Sequence, residues 1–262
     1  MPPFLACEDT GNSTGALPLV LVHGHPFDRS MWAPQLAAFS AGRRVIAPDL
    51  RGYGASPVPD GPDAVTLLSV FADDIAALLD DLGVDRCVLG GLSMGGQIVM
   101  ECCARFPGRI AGLVLADTSP VAETDAGREA RNAMADRLLR EGMGGYADEV
   151  LYKMVAPYAD PEVAAHVHRM MTATDPRGAA AALRGRALRP DYRDLLARLP
   201  MPALVVVGAD DGFTPVPDAE AMHAALPSST LEVVEGAAHL PNLERPDLFD
   251  AALGRFLATL DA

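Results

Sequence analysis

The chain has 262 residues, half of them hydrophobic, with 35 acidic residues against 21 basic ones and a formal charge of −14. That apolar content is enough to bury a large core and excludes intrinsic disorder. The acidic balance, with no basic run anywhere, excludes the electrostatic footprint that a phosphate backbone requires, so no nucleic-acid partner is expected.

At the amino terminus, MPPFLACEDTG has neither a basic region nor a long apolar core, and no later stretch has the roughly 18 uninterrupted apolar residues of a membrane span. A cytoplasmic protein with no membrane partner is expected. Cys7, Cys87, Cys102 and Cys103 show no C-x-x-C spacing and no nearby histidine pair, which points to reduced thiols and not to a zinc or redox motif.

The first strand-like run, Leu19 to Val22, leads into His23-Gly24-His25-Pro26, and Trp32 then opens a helix. His23 and His25 form an H-x-H pair, but Pro26-Phe27-Asp28-Arg29 adds no third ligand, so the ligand count for a metal site fails. His23 is read as a turn partner, while His25 lies at the rim of a pocket. A second strand, Arg43 to Ala47, precedes the turn containing Asp49, Arg51, Gly52, Gly54 and Ser56, whose role is architectural. Val65, Leu68, Phe71, Ile75, Leu78, Leu79 and Leu82 recur at helical spacing until Gly83. Within that helix Asp73-Asp74 reads as a solvated or capping pair.

The strand Arg86 to Leu89 ends in GGLSMGG, residues 90 to 96, after which Gln97 to Phe106 is helical and Pro107 stops it. Ser93 therefore sits at a strand-to-helix corner. Side chains two positions either side would collide with neighbouring elements, which is why glycine stands at 91 and 95. The amides at the start of the following helix point at the same spot, a favourable place for developing negative charge.

After the strand Leu113 to Ala116 the strand-helix rhythm breaks. Residues 120 to 199 read as helices near Glu123 to Arg140, Tyr146 to Val155, Glu162 to Thr172, Arg177 to Leu188 and Tyr192 to Leu199. Inserted between two strands of a parallel sheet, they emerge at the carboxyl edge, where such sheets place ligands. The methionines Met134, Met143, Met154, Met170 and Met171 lie here; Met134 and Met143, with Trp32, are taken as candidate substrate-binding residues. The rhythm resumes with Ala203 to Val207, followed by Asp210 and Asp211, and with Leu231 to Val234, followed by His239. His166, His168 and His223 fall on predicted helices and are read as structural.

The stretches VHGHPFDRSMW, APDLRGYGAS, GGLSMGGQ, VVVGADDGFTP and GAAHLPNLERP together resemble the serine α/β-hydrolase superfamily, in particular its carboxylesterases, perhydrolases and enol-lactone hydrolases. The resemblance implies an α/β fold, a mostly parallel twisted sheet with helices on both faces and a helical cap inserted after the sixth strand. Residues 1–119 and 200–262 would form the core and 120–199 the cap. It also implies a triad of Ser93, His239 and Asp211, with Asp210 and Asp117 as rival carboxylates, and an oxyanion hole from the backbone amides of His25 and Met94. The expected activity is hydrolysis of small, largely apolar esters or lactones without cofactor or metal. Pocket arginines could reverse the preference for uncharged substrates. Carbon–carbon hydrolysis, peracid formation and a binding protein that retained the fold are the alternatives, and a homodimer is a possible assembly. Aspartate-nucleophile relatives are disfavoured by Ser93.

Overall fold

The computed structural model describes residues 4–11 and 15–261; the first three residues of the amino-terminal stretch read above lie outside it. Seven strands form one sheet: β1 (Cys7–Asp9), β2 (Leu19–Val22), β3 (Val45–Pro48), β4 (Cys87–Leu92), β5 (Ile110–Ala116), β6 (Ala203–Gly208) and β7 (Ser229–Val234), in the order β1-β3-β2-β4-β5-β6-β7. All pairings are parallel except β1 with β3. The central strands are apolar on both faces, as strands covered on both sides must be.

The period-two alternation of a strand sorts these residues between two cores. Val20, Val22, Leu89, Leu113, Leu115, Val205 and Val207 enter one core, with α2 (Leu68–Asp81), α3 (Met94–Arg105) and α9 (Val216–Ala225). Leu19, Leu21, Val88, Val114, Ala116, Leu204 and Val206 enter the other, with α1 (Ala33–Phe39) and α11 (Pro246–Leu260). Trp32 belongs to this second core, fully buried with its ring 6.0 Å from that of Phe249.

Between β5 and β6 run α4 (Asp125–Glu141), α5 (Gly144–Met154), α6 (Pro161–Ala173), α7 (Pro176–Arg186) and the short α8 (Arg193–Leu196); α10 (Pro241–Glu244) follows β7. Among the described residues the insertion thus leaves from the fifth strand of the chain. The expectation of an insertion after a sixth strand is corrected by one strand: among the described residues it follows β5. Three of the five inserted helices begin with side-chain caps: Thr124 accepts from the Gly127 amide, Asp160 from Glu162 and Asp175 from Arg177. Met170 and Met171 of α6 join the second core, while Ala182, Tyr192 and Leu196 join the first, so the insertion straddles the sheet's edge.

Helix α7 meets the core backbone to backbone. A Cβ on Gly178 would lie 1.9 Å from the carbonyl oxygen of Gly52, and one on Gly185 would lie 1.7 Å from that of Thr66. Seven residues apart, the two glycines lie on one helix face. Thr66 N donates to the Ala181 carbonyl between them at 3.0 Å.

Candidate active site

Ser93 lies between β4 and α3 with φ 57° and ψ −116°, a left-handed conformation that costs a residue with a Cβ on the order of 1–3 kcal/mol. Its surroundings hold it there. Ser93 N donates to the Ala116 carbonyl at 2.9 Å, and the Ser93 carbonyl accepts from Gln97 N at 3.2 Å and Thr118 Oγ1 at 2.7 Å. A Cβ at 91 would fall 2.3 Å from the Gly95 carbonyl carbon, and one at 95 would fall 2.2 Å from the Val22 carbonyl oxygen. Both glycines are therefore required by close backbone approach.

His239 follows β7 and is buried, its Nδ1 donating to Asp211 Oδ2 at 2.8 Å. This fixes the tautomer of the neutral ring and leaves Nε2 as the acceptor. Asp211 also accepts from the Phe213 amide at 2.8 Å and from the Thr214 hydroxyl. Burial alone would raise its pKa, but His239, Thr214 and the Phe213 amide outweigh it and leave the carboxyl below its ordinary value. Asp210 instead accepts from the Tyr158 hydroxyl at the surface.

Asp117, just beyond β5 with φ 44°, packs against this pair. Its Oδ1 accepts from Gly208 N at 2.9 Å, while Oδ2 is buried without a partner among the described hydrogen bonds. Burial, then the charge of Asp211, push its carboxyl well above the usual range. Donor atoms of Asp117, Asp211 and His239 lie within 4.8 Å of one another. Both Asp211 oxygens are already taken by three donors, so the cluster has the chemistry of a hydrogen-bonded chain more than that of a cation cage.

Glu244 ties the histidine loop down. It accepts from the amides of Ala238 at 2.9 Å and Leu240 at 3.3 Å, on either side of His239, and from that of Ala156, past α5, at 2.7 Å. Burial nevertheless leaves its carboxyl above its ordinary pKa.

Ser93 and His239 open onto one cavity of about 380 Å³, a volume suited to a small molecule. No hydrogen bond joins the two side chains among those described, a common state before substrate tightens such a site. His25 lines the same cavity, with Nδ1 bonded to the Tyr53 hydroxyl at 2.7 Å. Neither its amide nor that of Met94 has a partner among the described backbone hydrogen bonds. His23 Nδ1 donates to the Gly24 carbonyl and its Nε2 accepts from Leu50 N, the turn role read from sequence.

Three expected pocket residues lie elsewhere. Trp32 is held in the core against Phe249. Met134 and Met143 join a cluster with Ala135, Leu138, Ala179, Ala180 and Leu183 that binds α4 to α7. Helical spacing placed these methionines on the insertion without saying which face meets the cavity. The apolar part of the lining is Met154, Tyr146, Leu183 and Phe213. The rest is more polar than the sequence led one to expect: Gln97, Thr118, Glu123, Arg131, Arg186, Arg189 and Asp218. In an arginine-rich chain no sequence signal separated Arg131, Arg186 and Arg189 from the rest. The Asp73-Asp74 pair also splits, since Asp74 is buried and accepts from Arg51 Nε at 2.8 Å, while Asp73 pairs with Arg105 at the surface.

A family profile described as the alpha/beta hydrolase family matches residues 19–252. The chain is 32% identical over 228 residues to 3-oxoadipate enol-lactonase 2 of Acinetobacter baylyi, covering 86% of this chain and 82% of that one. Among solved structures, a thermophilic esterase from Thermogutta terrifontis with malate bound superposes with a TM-score of 0.94 at 39% identity, covering 98% and 94% of the two chains. The enol-lactonase from Burkholderia xenovorans gives 0.88 at 30% identity, covering 97% and 96%.

Proposed function

The chain belongs to the alpha/beta hydrolase family, and from that premise we propose that it hydrolyses carboxylic esters or lactones of small molecules through an acyl-enzyme. In this reading Ser93 is the nucleophile, His239 the general base and then acid, and Asp211 the carboxylate that orients the imidazole and stabilises its charged form. The amides of His25 and Met94 receive the carbonyl oxygen as it becomes an anion, each worth on the order of 3 kcal/mol toward the barrier. Residues 120–199 act as a cap over the reaction.

The observation that carries the reading is that Ser93, held in a left-handed corner at the sheet's carboxyl edge, opens onto the same cavity as a histidine whose Nδ1 is committed to a buried carboxylate. The chemistry follows from those positions. As the Ser93 oxygen bonds to the carbonyl carbon, its proton passes to His239 Nε2. When the tetrahedral centre collapses, the same proton passes to the departing alkoxide, and the acyl group stays on Ser93. A water that gives its proton to Nε2 attacks next, and collapse of the second tetrahedral centre returns that proton to the Ser93 oxygen and frees the acid. The relatives' names, an esterase and enol-lactonases, support both open-chain and cyclic esters as the substrate class.

The test is direct. Purified protein is expected to release p-nitrophenol from short-chain p-nitrophenyl esters and to take a fluorophosphonate probe on Ser93. Ser93→Ala is expected to lower kcat by about a thousandfold or more and to abolish labelling. Full activity in that variant would overturn the mechanism.

A further inference from the structure

One glycine of the GGLSMGG stretch is explained by a side chain and not by the corner itself. Gly91 and Gly95 answer to backbone, whereas a Cβ at Gly96 would lie 2.6 Å from Cγ2 and 2.7 Å from Oγ1 of Thr118. Thr118 is buried just past the end of β5. Seated against Gly96, it donates its hydroxyl to the Ser93 carbonyl at 2.7 Å.

Thr118 is one of three consecutive residues that hold the same corner. The Ala116 carbonyl accepts from the Ser93 amide at 2.9 Å and Thr118 donates to the Ser93 carbonyl, so both peptide groups of the serine are bound by one short segment. Asp117, between them, faces the other way. Its amide donates to the Val206 carbonyl at 3.0 Å, and its Oδ1 accepts from Gly208 N at 2.9 Å. Val206 and Gly208 belong to β6, and the Gly208 carbonyl in turn accepts from the Asp211 amide at 3.1 Å. The reversal between neighbours is made at Asp117, whose φ of 44° is a conformation that aspartate tolerates better than most residues with a Cβ. Residues 116–118 thus bracket the serine corner on one side and the strand leading to Asp211 on the other.

Among the described hydrogen bonds none joins the Ser93 side chain to that of His239, whose Nδ1 is bound to Asp211, so the backbone beneath each residue sets their separation. At φ 57° and ψ −116° Ser93 occupies a costly conformation that persists only where its neighbours enforce it. A bond to its carbonyl acts on ψ, and hence on the direction in which Cβ and the hydroxyl leave the chain. A shift of about 1 Å at a reacting atom costs roughly a hundredfold in rate.

We propose that Thr118 is a positioning residue for the Ser93 nucleophile, acting through the Ser93 carbonyl, and that with Asp117 it fixes the serine against the strand that delivers Asp211. The proposal rests on the hydrolase reading and adds to it a residue that works on the orientation of the nucleophile and not on the substrate.

The experiment compares the parent with Thr118→Val, which deletes the hydroxyl and little else, and with Thr118→Ser, which keeps it. The readouts are kcat and KM for p-nitrophenyl butyrate and the second-order rate constant for fluorophosphonate labelling of Ser93, on samples shown by thermal denaturation to be folded. Thr118→Val is expected to lower kcat and the labelling rate by about 10-fold, the scale of one buried hydrogen bond, with KM within about threefold of the parent. Thr118→Ser is expected to recover most of that loss. A Thr118→Val protein that matches the parent in both rates overturns the proposal. So does a rise in KM at unchanged kcat, which would make Thr118 a substrate contact, or a loss in Thr118→Ser as deep as in Thr118→Val, which would make the methyl group the working part. If Thr118→Val does not fold, Gly96→Ala presses on Thr118 from the other side with its hydroxyl intact; a slower labelling rate supports the bracket and an unchanged one overturns it. A folded parent that neither cleaves the ester nor takes the probe overturns the hydrolase reading and the proposal with it, whereas an active parent with an equally active Thr118→Val removes the bracket alone.

Discussion

Asp117 is a carboxylate whose surroundings disfavour its charged form. One oxygen accepts the Gly208 amide, the other is buried beside Asp211, and its pKa lies well above the ordinary carboxylate value. An unfolded chain ionises this group above about pH 4. With the folded pKa raised, its contribution to stability is full below that point and declines as pH rises toward the folded value. Asparagine keeps an acceptor for Gly208 and an N–H for Asp211 without that penalty. Asp117→Asn is therefore expected to melt close to the parent at pH 4 and above it at pH 8, read by thermal denaturation across that range; a gap that narrows with pH would contradict a protonated Asp117. The corner at Ser93 was legible in the sequence because its glycines answer to sterics within a few residues. The arginines of the cavity were not, because they meet only after α4 and α7 have packed, and nothing near Arg186 in the chain marks it as lacking a carboxylate.

Among the elements, α7 is the inserted helix that meets the core backbone to backbone. Backbone approach at Gly178 and Gly185 leaves no room for a methyl group against the carbonyls of Gly52 and Thr66. Gly185→Ala should cost on the order of 1–3 kcal/mol, as overpacking does, despite alanine's better helix propensity. A lowered melting temperature measures the cost. An unchanged or raised melting temperature would mean that the helix relaxes away freely. The inserted helices themselves were legible to within a few residues from apolar spacing and composition. Strand β1 was not: Cys7, Glu8 and Asp9 are three mostly polar residues whose extended form comes from pairing with β3, a partner some forty residues away. Val65, read as part of the α2 stripe, lies outside that helix and is exposed, since the chain turns helical only at Leu68.

For the molecule as a whole, the fold class could be read because strand and helix alternate along the chain, and the central strands feed both cores by alternation, interrupted only near Ile110, where the register between β4 and β5 shifts. The relation of insertion to sheet could not, since it depends on packing between distant segments. Ala182, Tyr192 and Leu196 share a core with the strands and with α2 and α3, while Met170 and Met171 share the other. Insertion and core are thus expected to unfold together, in one calorimetric transition with matching van't Hoff and calorimetric enthalpies; two resolved transitions would mean that residues 120–199 fold on their own.

Glu244 joins the segment after α5 to the loop that carries His239. Of the three N–H groups that satisfy this poorly hydrated carboxylate, one belongs to Ala156 in the insertion and two flank His239. One carboxylate thus carries any displacement of the segment after α5 to the turn that holds His239.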